Sequence, residues 1–492
     1  MNPVLDRFEQ TVARFPDKTA VVCGEAGYTF AGLRALARRL AGAVLAADPA
    51  PGRIGVLVER SADTVVWFFA ALYAGACYVP LDPDLPEQKR QTILQSGGIR
   101  LLLGDASRRP LAGALPLLTL QDLADAPAPV PERGADDPLY MVYTSGSTGV
   151  PKGVVKSHGA MVSFVDAFTH TFGLTDRERI GNQNPFFFDA SAKDLYDMAF
   201  TGATLDIIPS EKFIFPVRLV EYLNERAITY ICWVPTALAL VTQLGTFAQV
   251  RPTTLRRVFF VGEVFPRKQL VKWLEALPDL DYVNLYGSSE LAGICLWYRL
   301  PPADRLPEQM PMGRPLENCR VWLRGETGFV SAPGELGEVW VESPALALGY
   351  DGDAEKTARV FAEERLPDGR TARVLKTGDL ARLDEAGNLV FVTRQDFQIK
   401  HMGRRIELGE IEAAADKLPE LARVCCLYDR EKQRIVLFCQ GAPGFAPEAR
   451  QIRSKLKTLL SDYMVPSRVV VLSELPLNPN GKINRTLLKE RL

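Results

Sequence analysis

Three histidines in 492 residues, at positions 158, 170 and 401, are too few and too scattered to form an imidazole metal centre. The eight cysteines, at 23, 77, 232, 295, 319, 425, 426 and 439, include no CxxC pair at zinc spacing. They read as reduced thiols in apolar segments, a usage that fits a cytoplasmic protein. Formal net charge is −1, so no overall field draws the chain to nucleic acid or to an anionic membrane. No run of about 18 apolar residues is free of charges, which excludes a membrane-spanning helix. The opening MNPVLDRFEQTVARFPDKTA has no basic region leading into an apolar one, so it is not read as a secretory signal. Solenoid-type repeats and a low-complexity tail are also missing.

What is present is the composition of an ordinary globular protein, 47% hydrophobic and 24% charged. The length exceeds what one hydrophobic core usually supports, so two or more domains are expected. LRALARRLAGAVLAA has helical spacing, and IGVLVERS and ACYVPLDP read as strands. Residues 123–137 (LADAPAPVPERGADD) read as an exposed connector. Beyond them PLYMVYTSG, ATLDIIP, AITYICWVP, LRRVFFVG and LDYVNLYG alternate with helical segments, which predicts an α/β domain with substantial parallel sheet. After about residue 315 strand follows strand, predicting a β-rich subdomain. The last hundred or so residues alternate again, as ELGEIEAAADKL, ARVCCLYD, RIVLFCQ, RQIRSKLKTLL and SRVVVLSELP, and form a compact α+β unit.

Two stretches carry unusual chemistry. YTSGSTGVPKG (143–153) follows a strand with three glycines and four hydroxyls, and Lys152 adds a positive charge. Such a loop lets backbone N–H groups converge on a phosphate, although a flexible Ser/Gly loop has the same composition. It is not a Walker A loop, because proline precedes the lysine and glycine follows it. NPFFFDASAKDLY (184–196) sets three phenylalanines before Asp189 and Lys193, and is read as strand and pocket wall behind two charges. Asp189 and Lys193 stand at i and i+4, so a surface pair on a helix is one reading of them.

NLYGSSELAG (284–293), KTGDL (376–380), TRQDFQIKHMGRRIELGEIE (393–412) and NPNGKINR (478–485) then follow in order. With the earlier YAGACYVPLDPDLP, this series resembles the adenylate-forming superfamily. Specifically, it resembles the amino-acid adenylation domains of nonribosomal peptide synthesis and the D-alanine:carrier-protein ligases. The resemblance covers nearly the whole chain. It implies an α/β fold with a large N-terminal adenylation core over 1–393, a hinge at 394–396 and a small mobile α+β lid domain over 397–492. It also implies an ATP- and Mg²⁺-dependent ligase. A carboxylate attacks the α-phosphorus of ATP, pyrophosphate leaves, and a phosphopantetheine thiol then captures the acyl group.

Bringing a carboxylate to a phosphate requires cations to offset the charge. By the resemblance, Lys482 bridges the two reacting groups and Glu290 is the magnesium-associated carboxylate, a hard oxygen ligand for a hard cation. Thr144, Ser145, Gly146, Ser147, Thr148, Gly149 and Lys152 would hold the phosphates. Tyr286 would stack on adenine, with Asn284, Gly287 and Ser289 around it, and Asp379 would accept the ribose hydroxyls beside Arg394. Asp396 matches the hinge aspartate, and Gly403 the glycine beside which the pantetheine arm enters. Thr393, commonly glycine, and Ser288–Ser289, more often Pro–Thr, depart from the pattern without removing a charged group.

The resemblance also makes Asp189 the partner of a substrate α-ammonium, which favours an α-amino acid. Ala190, Lys193, Cys232 and Phe259, then Val261, Gly262, Leu285, Gly293 and Ile294, would line the side-chain pocket. Lys193 is the charged exception and favours an acidic amino acid such as glutamate. D- or L-alanine or another small amino acid is the alternative, with Lys193 then turned outward or paired to Asp189 or Asp194. An acyl- or aryl-CoA ligase of the same fold is the remaining rival. The chain ends soon after Lys482 with no carrier domain following, so a separate carrier protein is the expected partner.

Overall fold

The computed structural model describes residues 2–144, 151–395, 398–476 and 483–492. The chain divides into two compact units. The larger comprises Met1–Pro83, Ser96–Val142 and Gly153–Gln395, and the smaller comprises Asp84–Gln95, Tyr143–Lys152 and Asp396–Leu492.

In the larger unit a nine-stranded sheet carries the alternation seen in the sequence. Its strands Asp281–Gly287, Arg257–Val261, Tyr230–Trp233, Arg179–Asn182, Thr204–Ile207 and Thr19–Cys23 lie side by side in parallel. Parallel neighbours need crossovers, and helices such as Ala190–Thr201 supply them. A seven-stranded sheet includes Lys152–Ser157, Pro138–Thr144, Cys77–Leu81 and Arg53–Leu57, in that order. Cys77–Leu81 is buried at every position, as strands covered on both faces are. From Arg320 onward the strands pair antiparallel, with Thr371–Leu383 flanked by Leu336–Glu342, Phe361–Arg365 and Leu389–Arg394. This is the β-rich part anticipated after residue 315.

The smaller unit packs helices Leu408–Ala415 and Ala449–Leu456 on the sheet Leu421–Asp429, Arg434–Gly441 and Arg468–Leu472. Ile406, Ile411, Leu437, Ile452 and Leu456 form its centre, each fully buried.

One expectation needs correcting. The phenylalanines of NPFFFD are not a strand: the nine-stranded sheet releases the chain at Asn182, and residues 186–189 form a turn into the helix Ala190–Thr201. Pro185 cannot donate to a ladder, and its carbonyl instead receives the Phe188 N–H at 3.0 Å. The Asn184 amide is tied to the Cys232 carbonyl. Only Phe186 goes fully into the core, edge-on to Phe68.

Candidate active site

The turn sets Asp189 one residue ahead of a helix. Its side chain makes no capping bond; it turns instead toward the seven-stranded sheet. There Tyr140 donates its hydroxyl to Asp189 Oδ1 at 2.8 Å. Lys156, on the neighbouring strand, places Nζ 3.0 and 3.1 Å from the two carboxylate oxygens. The third Lys156 hydrogen bond goes to the Leu291 carbonyl, in the residue after Glu290. The Lys156 side chain is 0% exposed and that of Asp189 15%. Burial raises the Asp189 carboxyl pKa, and the Lys156 charge opposes that rise.

The sequence reading missed Lys156, although a signal existed. In GVVKS the lysine shares its strand face with Val154, so period-2 alternation aims a charge into the core. A buried cation requires a partner.

Lys193 is also buried, at 4% exposure, and it is already neutralised. Its Nζ lies 2.9 Å from Asp194 Oδ1 and 3.0 Å from Asp197 Oδ2. Tyr230 donates to Asp197, and the Asn182 amide donates to Asp194. The rings of Phe168, Tyr230 and Phe259 surround the ammonium at 4.8 to 5.8 Å. Burial alone would lower the lysine pKa, but Asp194 and Asp197 outweigh it and hold the group above its ordinary value. A lone cation awaiting a substrate carboxylate is therefore not what the helix presents. Of the two pairings expected for an outward-turning or paired lysine, the one with Asp194 is present, joined by the unanticipated Asp197.

The other pocket residues fall into two groups. Cys232, Phe259, Val261, Leu285 and Ile294 are buried on the central strands or beside them, and Ala190 is exposed on the first helical turn. Burial pushes the Cys232 thiol up to about 12, so it stays protonated. Gly262 has φ +97°, a left-handed backbone that suits glycine. Gly293 is needed for space: a Cβ there would meet the Phe164 ring at 2.3 Å. The Phe164 ring thus occupies the space beside Gly293.

The nucleotide-type residues gather in the same unit. Asp379 and Arg394 are cross-strand partners, and Arg394 Nη1 lies 2.5 Å from Asp379 Oδ1. Tyr286, at the end of Asp281–Gly287, donates its hydroxyl to the other Asp379 oxygen. Burial and then the Asp379 charge hold the tyrosine pKa far above its usual value, so it remains a donor. Asn284 instead bonds the Pro311 carbonyl. Gly287 and Ser289 continue the same segment, half-buried. Glu290 is 4% exposed and accepts a hydrogen bond from the Tyr350 hydroxyl at 2.6 Å. A buried carboxylate of this kind suits a hard divalent cation, and an Asp–Arg–Tyr cluster suits a polar nucleoside. No group of three or more metal-ligating side chains occurs among the described residues.

In the smaller unit Thr144 and Lys152 are the half-buried ends of adjacent strands. Gly403 (φ +73°) follows Met402 (φ +53°) in the two-residue turn between Gln398–His401 and Arg404–Glu407. That turn alone accounts for glycine there. Ser145, Gly146, Ser147, Thr148 and Gly149, together with Asp396 and Lys482, lie outside the described residues.

The AMP-binding enzyme family model matches residues 8–351, and the AMP-binding enzyme C-terminal domain model matches residues 410–482. Tyrocidine synthase 2 of Brevibacillus parabrevis is 31% identical over 98% of this chain, which spans 13% of that protein. Zwittermicin A synthase ZmaJ of Bacillus cereus is 29% identical over 98% of this chain and 93% of its own length. Among solved structures, holo-PA1221 is an NRPS protein containing adenylation and PCP domains bound to a vinylsulfonamide inhibitor. It is similar in fold, with a TM-score of 0.88 over 99% of this chain and 84% of its own, at 24% identity.

Proposed function

The chain belongs to the AMP-binding enzyme family, and from that premise we propose that it activates a small, uncharged amino acid with ATP and passes it to a carrier protein. A substrate carboxylate oxygen attacks the α-phosphorus of ATP, a P–O bond forms, and pyrophosphate leaves. The phosphopantetheine sulfur then attacks the acyl carbon, AMP leaves, and the thiol proton passes to solvent. Asp379 and Arg394 would hold the ribose end, with Tyr286 against the base. Glu290 would hold magnesium, which when bound offsets phosphate charge. Lys482 would offset the charge that develops as carboxylate meets phosphate.

The observation that carries the amino-acid reading is Asp189, a partly exposed carboxylate set just ahead of the helix Ala190–Thr201. The preference for a small, uncharged side chain rests on Lys193, whose charge is taken up by Asp194 and Asp197, and on the Phe164 ring against Gly293. Glutamate loses the argument that favoured it, because a substrate carboxylate would be a third anion around one cation.

One observation favours a second reading, the activation of an acid without an α-ammonium: Asp189 already has an ammonium partner in Lys156. ATP–pyrophosphate exchange across the common amino acids and their D-forms separates the two. Exchange with alanine, glycine or serine, followed by mass-spectrometric detection of the aminoacyl thioester on a phosphopantetheinylated carrier, is the expected outcome. Turnover only with organic acids and free coenzyme A would refute the proposal. No helix among the described residues is long and apolar enough to cross a membrane.

A further inference from the structure

We propose that Lys156 is a specificity-determining residue of this site: by standing permanently on Asp189, it lets the enzyme accept α-hydroxy acids alongside α-amino acids of the same side chain. The inference rests on the reading of Asp189 as the residue that meets the substrate's α-substituent, and it deepens that reading.

The geometry leaves Lys156 no second position. Its strand, Lys152–Ser157, is buried at every residue after the first. The ammonium is 0% exposed and spends its three hydrogens on the two Asp189 oxygens and the Leu291 carbonyl. The Tyr140 ring lies 5.6 Å from Nζ, and the Tyr140 hydroxyl bonds the same carboxylate. A substrate therefore meets Asp189 with Lys156 in place; moving the lysine aside would strand both a buried ammonium and a peptide carbonyl.

An ionised carboxylate has about four acceptor positions. Tyr140 and Lys156 occupy three of them, and the 15% exposed side leaves room for one further donor. A substrate ammonium there would be a second cation on a carboxylate whose charge is already matched. A hydroxyl makes the same hydrogen bond without that repulsion. Glu290, the other carboxylate whose charge reaches Asp189, is itself hydrogen-bonded by Tyr350 and is the magnesium candidate. It is poorly placed to compensate a second ammonium once the metal is bound.

The test is ATP–pyrophosphate exchange by the full chain with matched acid pairs: alanine and lactate, serine and glycerate, valine and 2-hydroxyisovalerate, each as L and D forms. For the best pair, kcat/KM for the hydroxy acid should fall within about tenfold of that for the amino acid, since the substrate's charge gains little at a neutralised partner. Lys156→Met should move the ratio toward the amino acid by about thirtyfold or more, whereas Lys156→Arg, which keeps the charge, should hold it near the parent value. A purely structural lysine would lower both activities together and leave the ratio fixed, which would overturn the proposal. So would a parent preference for the amino acid of more than about a hundredfold, and that measurement decides the matter if Lys156→Met does not fold. Exchange with amino acids alone refutes this inference and leaves the proposed function standing; exchange with neither set refutes both.

Discussion

Replacing Lys193 by methionine separates two accounts of the same helix. In the structure the lysine is the counter-charge of Asp194 and Asp197, whose side chains are 0% and 1% exposed. Methionine nearly fills the volume, so the main effect is electrostatic. Two buried carboxylates would remain, with the Asn182 amide and the Tyr230 hydroxyl as their neutral partners among the described residues. Removing one member of a buried ion pair typically costs about 3–5 kcal/mol. Burial already raises the Asp197 pKa against the pull of Lys193, and without the lysine one carboxyl would take up a proton, which limits the loss to that range. For the roughly 370-residue larger unit, at about 2.1 cal/mol/K per residue, the melting temperature should fall by about 4–6 °C. Exchange should decline equally for every substrate, since the cluster supports the helix behind the pocket. Adding Asp197→Asn to Lys193→Met should recover part of the lost stability, because one buried carboxylate, Asp194, is then left without its cation instead of two. The measurements are calorimetric melting at pH 7.5 and exchange with alanine and glutamate in parallel. An unchanged melting point with selective loss of glutamate exchange would refute the reasoning and restore Lys193 as an acidic-substrate ligand.

Three further outcomes are expected. His158, buried at the start of the helix His158–Phe172 and with no hydrogen-bond partner on Nδ1 among the described residues, has its pKa lowered from 6.5 to about 4 by burial. Its contribution is intact above pH 6.5 and is lost as pH falls toward 4. The parent should thus lose about 2 kcal/mol more than His158→Gln between pH 7 and pH 5; parallel melting curves for the two would contradict this. Asp379→Asn should raise the KM for ATP by about tenfold or more and leave the KM for the amino acid little changed, since it removes an acceptor and the partner of Arg394; an unaltered ATP dependence counts against the assignment. Gly293→Ala should cost about 1–3 kcal/mol and most exchange activity through its clash with Phe164, and Phe164→Leu should relieve both. Full activity in Gly293→Ala would mean the pocket has room that the Phe164 ring denies it.

How far the site could be read from sequence depended on the kind of contact. Alternation of strand and helix follows from local hydrophobic periods, so the parallel sheet before residue 315 and the antiparallel strands after it were both legible. Asp379 and Tyr286 were found through their motifs, yet nothing local says that they hydrogen-bond each other across 93 positions. Charge pairing failed for a more specific reason. The spacing of Asp189 and Lys193 suggested an i,i+4 pair, but that rule holds only when both residues lie on helix surface. Asp189 precedes the first helical turn, and its side chain leaves the helix for the sheet. The i,i+4 pair that exists runs the other way, from Lys193 to Asp197, where both residues are helical. Asp189 is matched by a lysine 33 positions earlier, on a strand that only the topology brings near. Each of these two aspartates has a lysine partner, and the partner's position decides its role. Lys193 shares its element with Asp197 and serves the helix, whereas Lys156 comes from another element, backs a carboxylate that still faces outward, and so bears on what can bind there.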